Sequence, residues 1–258
     1  MAASPRPWST IAGMTPEELV ADACPRIAVL GSRFYFTPET VARGKELGLD
    51  GFRFYFLGRG GVLGDVEPPV VQSAFGYFES GLVSKTWTSA RERAQLTVRE
   101  VGRAYVEASR DFGRVHFADM RGLDAFCAAA ETVTSGVDPA GLTLYAGLSA
   151  EPLAEDLPAR AMQMVTVLRE LRGSLHLVAV VAAGISPMVA HYYRRPEHFT
   201  TFGYTEADIP TVTGEVEAAM ASADARTDRL MSQAFGVLDE AERASLAGGV
   251  AQMAEAAR

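Results

Sequence analysis

Apolar and polar positions follow the period of an α-helix along most of the chain. In residues 89–112, Ala94, Val98, Val101 and Tyr105 recur at steps of three and four, with charged residues between them. This spacing predicts one amphipathic helix of about six turns. The same period and a helix-forming composition predict further helices over residues 119–134, 141–150, 158–172, 175–184, 187–193, 215–235 and 239–257.

Helix starts are marked by hydroxyl side chains that precede proline. Thr15, Thr37 and Ser186 each stand before a proline at the first helical position, where a missing backbone N–H costs nothing. Gly48 and Gly113 follow predicted helices as stop signals. Apart from two ambiguous segments, residues 27–30 and 52–57, no run alternates apolar and polar residues between turn dipeptides, so the pattern predicts an all-α fold, a multi-helix bundle.

Residues 194–213 interrupt the helical pattern with proline, glycine and threonine. A boundary in this segment divides the chain into an N-terminal tail (1–13), a helical main domain (14–203) and a C-terminal helical region (204–258). The C-terminal helices either pack on the main domain as part of it or serve for dimerisation, so a homodimer is one expected assembly.

Composition and charge narrow the class of protein. The 258 residues are 48% hydrophobic, enough for a sizeable core, and carry a net charge of −8. The longest apolar run, residues 175–190, is shorter than a bilayer requires, and the N-terminus lacks the apolar centre of a secretory signal, so we expect a cytoplasmic protein without a membrane partner. The two cysteines, Cys24 and Cys127, lie among apolar neighbours and are interpreted as core residues.

Ten aromatic residues are concentrated in 45 positions. Aromatic side chains bury large areas and can simply fill a core, but when they converge around polar groups they often line a pocket for a flat or apolar ligand. Both alternatives are open for this set, which consists of Phe34, Tyr35, Phe36, Phe52, Phe54, Tyr55, Phe56, Phe75, Tyr77 and Phe78.

Arg59 lies in a glycine cluster directly after the second aromatic segment. A phosphate-binding loop is excluded because the cluster lacks the required Gly-Lys-Ser/Thr ending. In one interpretation a glycine ends the helix and Arg59 contacts its last carbonyls. In the other, Arg59 anchors a carboxylate or another anion, and Asp65 is a salt-bridge partner in either case.

Tyr77 and Glu79 lie in the next aromatic segment, SAFGYFESGLVSK (73–85), which is interpreted as a helix interrupted near Gly76 and Gly81. If the segment is buried, Glu79 needs a partner or a raised pKa and could act as an acid or base; otherwise it faces solvent. Tyr55 and Tyr77 are candidate hydrogen-bonding residues for a ligand.

A second group of candidates lies on the helix predicted from residue 158. If that helix continues through Gly173, Arg169, Arg172 and His176 share one face. The arginines then either are solvated or hold an anion. His176 is either a satisfied core histidine or, because imidazole titrates near neutral pH, a proton-transfer group.

Metal and cofactor signatures are missing from the sequence. The four histidines lack the spacing of a metal-binding helix, and no serine-hydrolase elbow or dinucleotide-binding glycine pattern occurs. We therefore expect no metal site and no cofactor.

Three sequence blocks occur in order along the chain: YFLGRGGVLGDV (55–66) with AFGYF (74–78), then LRELRGSLH (168–176), then ARTDR (225–229). Together they resemble an actinobacterial family of largely uncharacterised all-helical proteins that are often labelled helix-turn-helix proteins. The resemblance covers most of the chain and implies no family-wide activity.

The helix-turn-helix label implies a DNA-reading region between about residues 204 and 227. Only residues 204–214 precede the helix predicted from residue 215, and they contain Pro210, so a reading helix with a wing scarcely fits there. Because the chain is also acidic, we expect that nucleic acid is not a partner.

The first hypothesis is a helical protein that binds a small, anionic, partly aromatic or apolar molecule, as an enzyme or accessory protein of specialised metabolism. In it, His176 and Glu79 transfer protons, Tyr55 and Tyr77 donate hydrogen bonds, and three arginines, Arg59, Arg169 and Arg172, hold the anion. The alternative hypothesis is a ligand-responsive helix-turn-helix transcription regulator.

Overall fold

Six helices form the first half of the chain. The computed structural model describes residues 13–258, so the predicted N-terminal tail lies outside the described residues except for Gly13. The first six helices are α1 (Pro16–Leu30), α2 (Pro38–Glu46), α3 (Gly51–Gly60), α4 (Pro68–Phe75), α5 (Ser80–Arg93) and α6 (Val98–His116), with a 3-10 turn at Gly61–Leu63.

Six more helices complete the fold. They are α7 (Leu123–Gly136), α8 (Thr143–Ser149), α9 (Leu157–Ala182), α10 (Pro187–Arg194), α11 (Gly214–Phe235) and α12 (Glu240–Ala256), with 3-10 turns at Pro196–His198 and Glu206–Asp208. Residues 13–258 contain no strand, which confirms the predicted all-α bundle.

The predicted hydroxyl caps form as expected. The Thr15 side chain accepts a hydrogen bond from the backbone N–H of Glu18, whose carboxylate accepts from the Thr15 N–H in return. The Thr37 and Ser186 side chains cap α2 and α10, each before its proline, by accepting from the backbone N–H groups of Thr40 and Val189. These local hydrogen bonds use donors that a helix start leaves unpaired.

The prediction of a single helix over residues 89–112 is wrong, because residues 94–97 are not helical and separate α5 from α6. Thr97 starts α6 with a complete capping box to Glu100, and Ala94 has extended backbone. The apolar period continues in phase across the break and so conceals it. The stop predicted at Gly113 is also wrong: α6 continues to His116, and the missing side chain of Gly113 lets the backbone of Pro158 approach.

The central element is α9, which passes through Gly173 without interruption and joins two segments predicted as separate helices. It packs against α1, α6, α7, α8 and α11. Most of its residues are buried, and the largest cluster of buried apolar side chains in the described chain lies around it. This helix therefore determines where side chains from the other elements meet.

The C-terminal helices pack on this body: α11 lies along α9 and α1, and α12 lies along α7 and α1. The domain boundary near residue 204 stays a prediction. Both cysteines are buried, and burial raises the pKa of the Cys24 thiol to about 11 and that of Cys127 to about 12. Neither thiol is therefore in a reactive state near neutral pH.

Over residues 13–258, no single helix has the length and apolar composition to cross a membrane. The pair α9 and α10, bent by 114° at their junction, meets those criteria only when the two helices are taken together.

Candidate functional site

A cleft of about 280 Å³ opens between α3, α4, α9 and α10. It lies at the bend where α9 and α10 meet, and part of its wall is aromatic, formed by Phe75, Phe78 and Phe202. Six of the seven residues singled out in the sequence line this cleft: Tyr55, Arg59, Tyr77, Arg169, Arg172 and His176. The structure thus brings together side chains that are up to about 120 positions apart in sequence.

A buried carboxylate holds two of the arginines. Arg59 donates to both oxygens of Glu170, with Nε–Oε1 and Nη2–Oε2 distances of 3.0 and 2.8 Å, and Arg169 Nη1 donates to Oε1 at 2.9 Å. Burial alone would raise the pKa of Glu170, but the two guanidinium groups outweigh it and lower that pKa. Two cations share one carboxylate, so this wall of the cleft carries excess positive charge.

The partner expected for Arg59 is wrong. Asp65 lies beyond the 3-10 turn that follows α3 and pairs with Arg91 of α5 at 2.6 Å. Arg59 instead points across the bundle to Glu170 on α9, and its guanidinium lies over the ring of Phe75 at 4.6 Å. It also donates to the Tyr55 hydroxyl, one helical turn away, at 3.3 Å. Arg59 is therefore part of a buried network, and its donors are largely occupied.

The opposite side of the cleft has polar atoms without partners. Among residues 13–258, the Tyr77 hydroxyl, Arg172 Nε and His191 Nε2 are buried and make no hydrogen bond. All three residues line the cleft. The hydrogen bond from Arg172 Nη2 to Asp228 is long, at 3.5 Å. Leaving a buried polar atom unpaired costs about 1–3 kcal/mol, so three such atoms at one cleft call for an explanation.

His176 is held in one tautomer by Thr227. The Thr227 hydroxyl donates to the carbonyl of Ala223 at 2.8 Å and therefore accepts from His176 Nδ1–H at 3.0 Å. In the neutral ring this leaves Nε2 as an acceptor. Burial, reinforced by the charge of Arg172, lowers the pKa of His176, which favours the neutral ring at neutral pH.

Glu79 does not line the cleft. Both of its carboxylate oxygens accept backbone N–H groups, those of Gly81 and Leu82, at 2.8 and 2.7 Å. These hydrogen bonds lower the pKa of Glu79 and fix it as the cap of α5. The remaining six residues are the ones that the geometry groups, while the role of each stays a prediction.

Sequence reasoning missed Glu170 and three further residues of the cleft, His191, Arg194 and Phe202. A signal for Glu170 was present: Gln163, Thr166 and Glu170 recur at steps of three and four on one face of an otherwise apolar helix. A polar stripe that is buried has to find partners across the core. No comparable signal marks the other three, because they reach the cleft through the bend after α9.

The chemistry available at the cleft is anion binding and proton acceptance by a neutral imidazole, that of His176 or His191. Within residues 13–258, no group of three or more histidine, cysteine or acidic side chains is arranged to hold a metal ion.

Comparison with known proteins shows the family to which the chain belongs. A family model described as a helix-turn-helix family matches residues 21–258. No curated protein and no solved structure matches the chain. The expectation that nucleic acid is not a partner is therefore wrong at the level of the family, because the helix-turn-helix is a DNA-binding motif. Net charge is a sum over the whole chain, whereas contact with DNA depends on a local surface.

Proposed function

Because this chain belongs to the helix-turn-helix family, we propose that it is a DNA-binding regulator whose cleft binds a small, anionic, partly aromatic molecule. The actinobacterial origin implied by the resemblance stays a prediction. The proposal unites the two hypotheses from the sequence. The cleft supports the binding of a small ligand, and membership of the family supports the binding of DNA.

The single observation that supports ligand binding at the cleft is the set of buried polar atoms of Tyr77, Arg172 and His191 that make no hydrogen bond. His191 is only 6% exposed, so solvent does not readily satisfy its ring nitrogen. A carboxylate in the cleft would accept from Arg172 and Tyr77, and a hydroxyl group on the ligand would suit His191. Binding would replace an unfavourable burial by hydrogen bonds to a charged group, which are among the stronger kinds.

Charge and shape favour an aromatic anion over a neutral molecule. Five arginines line the cleft, Arg59, Arg169, Arg172, Arg194 and Arg195, and the one acidic side chain in the lining is Glu170. Asp224 and Asp228 pair with Arg194 and Arg172 from outside the lining, so five cations meet three carboxylates. The ring of His191 stacks on Phe202 with centroids 3.9 Å apart, and Phe202 stacks on Phe78 at 4.0 Å. A flat ligand can extend this stack while its charge meets the arginines.

Calorimetry with two matched probes tests the ligand class. We expect 4-hydroxybenzoate to bind at least about tenfold more tightly than the neutral 4-hydroxybenzamide, since charge is the difference between them. Arg172→Gln should remove most of that preference. Arg103→Gln, which changes an exposed arginine outside the cleft, should leave both affinities unchanged. Equal affinity for the two probes, or no binding of either at millimolar concentration, contradicts the proposed ligand class.

Selection from a random-sequence duplex library tests DNA binding. At low salt we expect the protein to retain a defined family of duplexes, with affinity that falls as salt increases, because phosphate contacts release counterions. Failure to enrich any sequence at low salt contradicts the DNA-binding part of the proposal.

A second candidate function, an enzyme or accessory protein of specialised metabolism, is favoured by the state of His176. Its Nδ1 is used by Thr227, so the neutral ring offers Nε2 as a proton acceptor. Native mass spectrometry of the purified protein would identify a retained molecule, and nuclear magnetic resonance would then follow its conversion. Conversion by the wild type but not by His176→Gln supports an enzyme, whereas an unchanged molecule in both excludes catalysis on it.

A further inference from the structure

We infer that α5 is the helix that contacts DNA, and that α4 and the turn at residues 76–79 hold it in place. This inference rests on the proposed function. It assigns the DNA-binding surface to a part of the chain well before residues 204–227, the region that the resemblance in the sequence implied.

The α4–turn–α5 unit has the order of elements and the turn length of a helix-turn-helix motif. Two helices are joined by four residues, and the turn begins with Gly76 at φ 68°, a conformation that favours glycine. Phe78 in the turn is buried. Glu79 then caps α5 through its carboxylate. The turn is therefore fixed at its start, middle and end.

Each face of α5 has a distinct composition. Val83, Trp87 and Ala90 are fully buried and attach the helix to the core. The opposite side, here called the α5 face, is exposed and consists of Ser84, Lys85, Thr88 and Glu92. Hydroxyl and ammonium groups donate to phosphates and base edges, and a carboxylate can accept from cytosine.

The charge of α5 differs from that of the chain. Its 14 residues carry three basic side chains, Lys85, Arg91 and Arg93, against the single acid Glu92, in a protein with a net charge of −8. Arg91 is paired with Asp65, so Lys85 and Arg93 are the cations of α5 that are available to a phosphate.

Four other helix pairs are joined by four residues, and their second helices are less suitable. In α6, three of the four arginines, Arg99, Arg110 and Arg114, are paired with acidic side chains. In α3 most side chains are buried, and α12 has three acidic residues against one basic. In α10, only eight residues long, Arg194 is paired with Asp224.

The turn that positions α5 also forms part of the cleft wall. Tyr77 lines the cleft, and Gly76 lies so close to Leu177 of α9 that an added Cβ would meet that side chain at 2.5 Å. The Glu79 N–H donates to the carbonyl of Phe202, another cleft residue, at 2.8 Å. A ligand that contacts this wall would therefore act directly on the base of α5.

The chain contains only two lysines, which makes a sharp test available. Lys85 lies on the α5 face, whereas Lys45 is exposed on α2. With a duplex recovered by selection on the wild type, lysine acetylation read by mass spectrometry should fall at least about fivefold at Lys85 and stay unchanged at Lys45. Equal protection of both lysines, or protection of Lys45 alone, overturns the inference.

Affinity measurements on the same duplex give an independent readout. Lys85→Ala should weaken binding about tenfold and lower the salt slope by about one, while Lys45→Ala should change neither. Thr88→Ala should alter the sequence preference found on repeated selection. Circular dichroism confirms that each variant is folded, as expected for exposed positions.

Failure of this inference is distinguishable from failure of the proposed function. If the wild type enriches no duplex, DNA binding fails, and the assignment of α5 fails with it. If the wild type binds but Lys85→Ala binds equally well, only the assignment of α5 is wrong. Loss of binding in Arg195→Ala with full binding in Lys85→Ala would place the DNA contact beside α10 instead.

Discussion

The two walls of the cleft use similar polar side chains in opposite ways. On the side formed by α3 and the middle of α9, Arg59, Arg169 and Glu170 satisfy one another in a buried network. On the side towards α10, Arg172 and His191 carry buried atoms without partners.

This difference distinguishes side chains that hold the fold together from side chains that are free to contact a ligand. A polar group that is already paired inside the protein holds helices together and has little left for a ligand. A buried polar group without a partner lowers stability, and such a cost is typical of sites shaped for something else. Arg59, the residue that the sequence made most conspicuous, therefore belongs mainly to the framework of the cleft, and Arg172 and His191 are better candidates for ligand contacts.

Among the substitutions that test this difference, removal of the carboxylate shared by Arg59 and Arg169 should have the largest effect on stability. Glu170→Gln leaves Arg59 and Arg169 buried without their counter-charge, so the free energy of unfolding should fall by about 3 kcal/mol or more. Urea denaturation measures the loss. Asp65→Asn is the matched control, because it removes an exposed partner of Arg91 and should cost less than about 1 kcal/mol. A loss for Glu170→Gln no larger than the control would contradict the framework role.

The turn that joins the cleft to α5 should be the next most sensitive position. Gly76→Ala combines a positive φ with the close approach of Leu177, so we expect a loss of about 2–3 kcal/mol. In the control Gly184→Ala, φ is also positive, at 78°, but nothing lies within 4 Å of the added Cβ, so the loss should be about 1 kcal/mol. Thermal or urea unfolding compares the two, and equal losses would show that the contact with Leu177 is soft.

Acid should weaken the fold through the two cleft histidines. Burial lowers the pKa of His176 and His191 below the ordinary 6.5, so the unfolded chain binds protons more readily than the folded chain. Their contribution to stability is complete above about pH 6.5 and decreases as the pH falls through that value towards the lowered pKa values of the folded state. Urea midpoints between pH 7.5 and 5.5 measure the decrease, and it should be smaller in His191→Phe. An identical pH profile in this variant would exclude His191 as a contributor.

The smallest effect on stability should come from replacing His191, whose ring nitrogen Nε2 makes no hydrogen bond. His191→Phe keeps an aromatic ring against Phe202 and removes a buried polar atom, so stability should stay within about 1 kcal/mol of the wild type or rise. His176→Phe is the control on the same cleft: it breaks the hydrogen bond to Thr227 and should cost about 1 kcal/mol. Binding of 4-hydroxybenzoate should fall in His191→Phe even though the fold is intact. A large loss of stability would mean that Nε2 has a partner after all.

Much of the fold could be predicted from local patterns. The caps at Thr15, Thr37 and Ser186 and the period of the apolar residues depend on neighbours within one or two helical turns. The errors arose where local signals were ambiguous. The apolar period runs in phase through the break before Thr97, and Gly113 serves helix packing rather than a helix end.

The candidate site could be predicted only in part. The types of residue at Arg59, Arg172 and His176 suggested anion binding, and these side chains do line one cleft. The partner of Arg59 could not be identified, because Glu170 is 111 positions away and meets it only through the tertiary fold, in which α6 packs against both α3 and α9.

The sequence by itself determined the helices, their starts and the supply of cations and aromatic rings, since short-range hydrogen bonds and periodic burial decide these. Only the tertiary structure decided which charges neutralise one another and which stay unpaired. Burial makes that distinction, because a salt bridge or a missing partner matters in proportion to the water removed from around it. The same arginine-rich segment of α9 thus supplies Arg169 to the framework and Arg172 to the open side of the cleft.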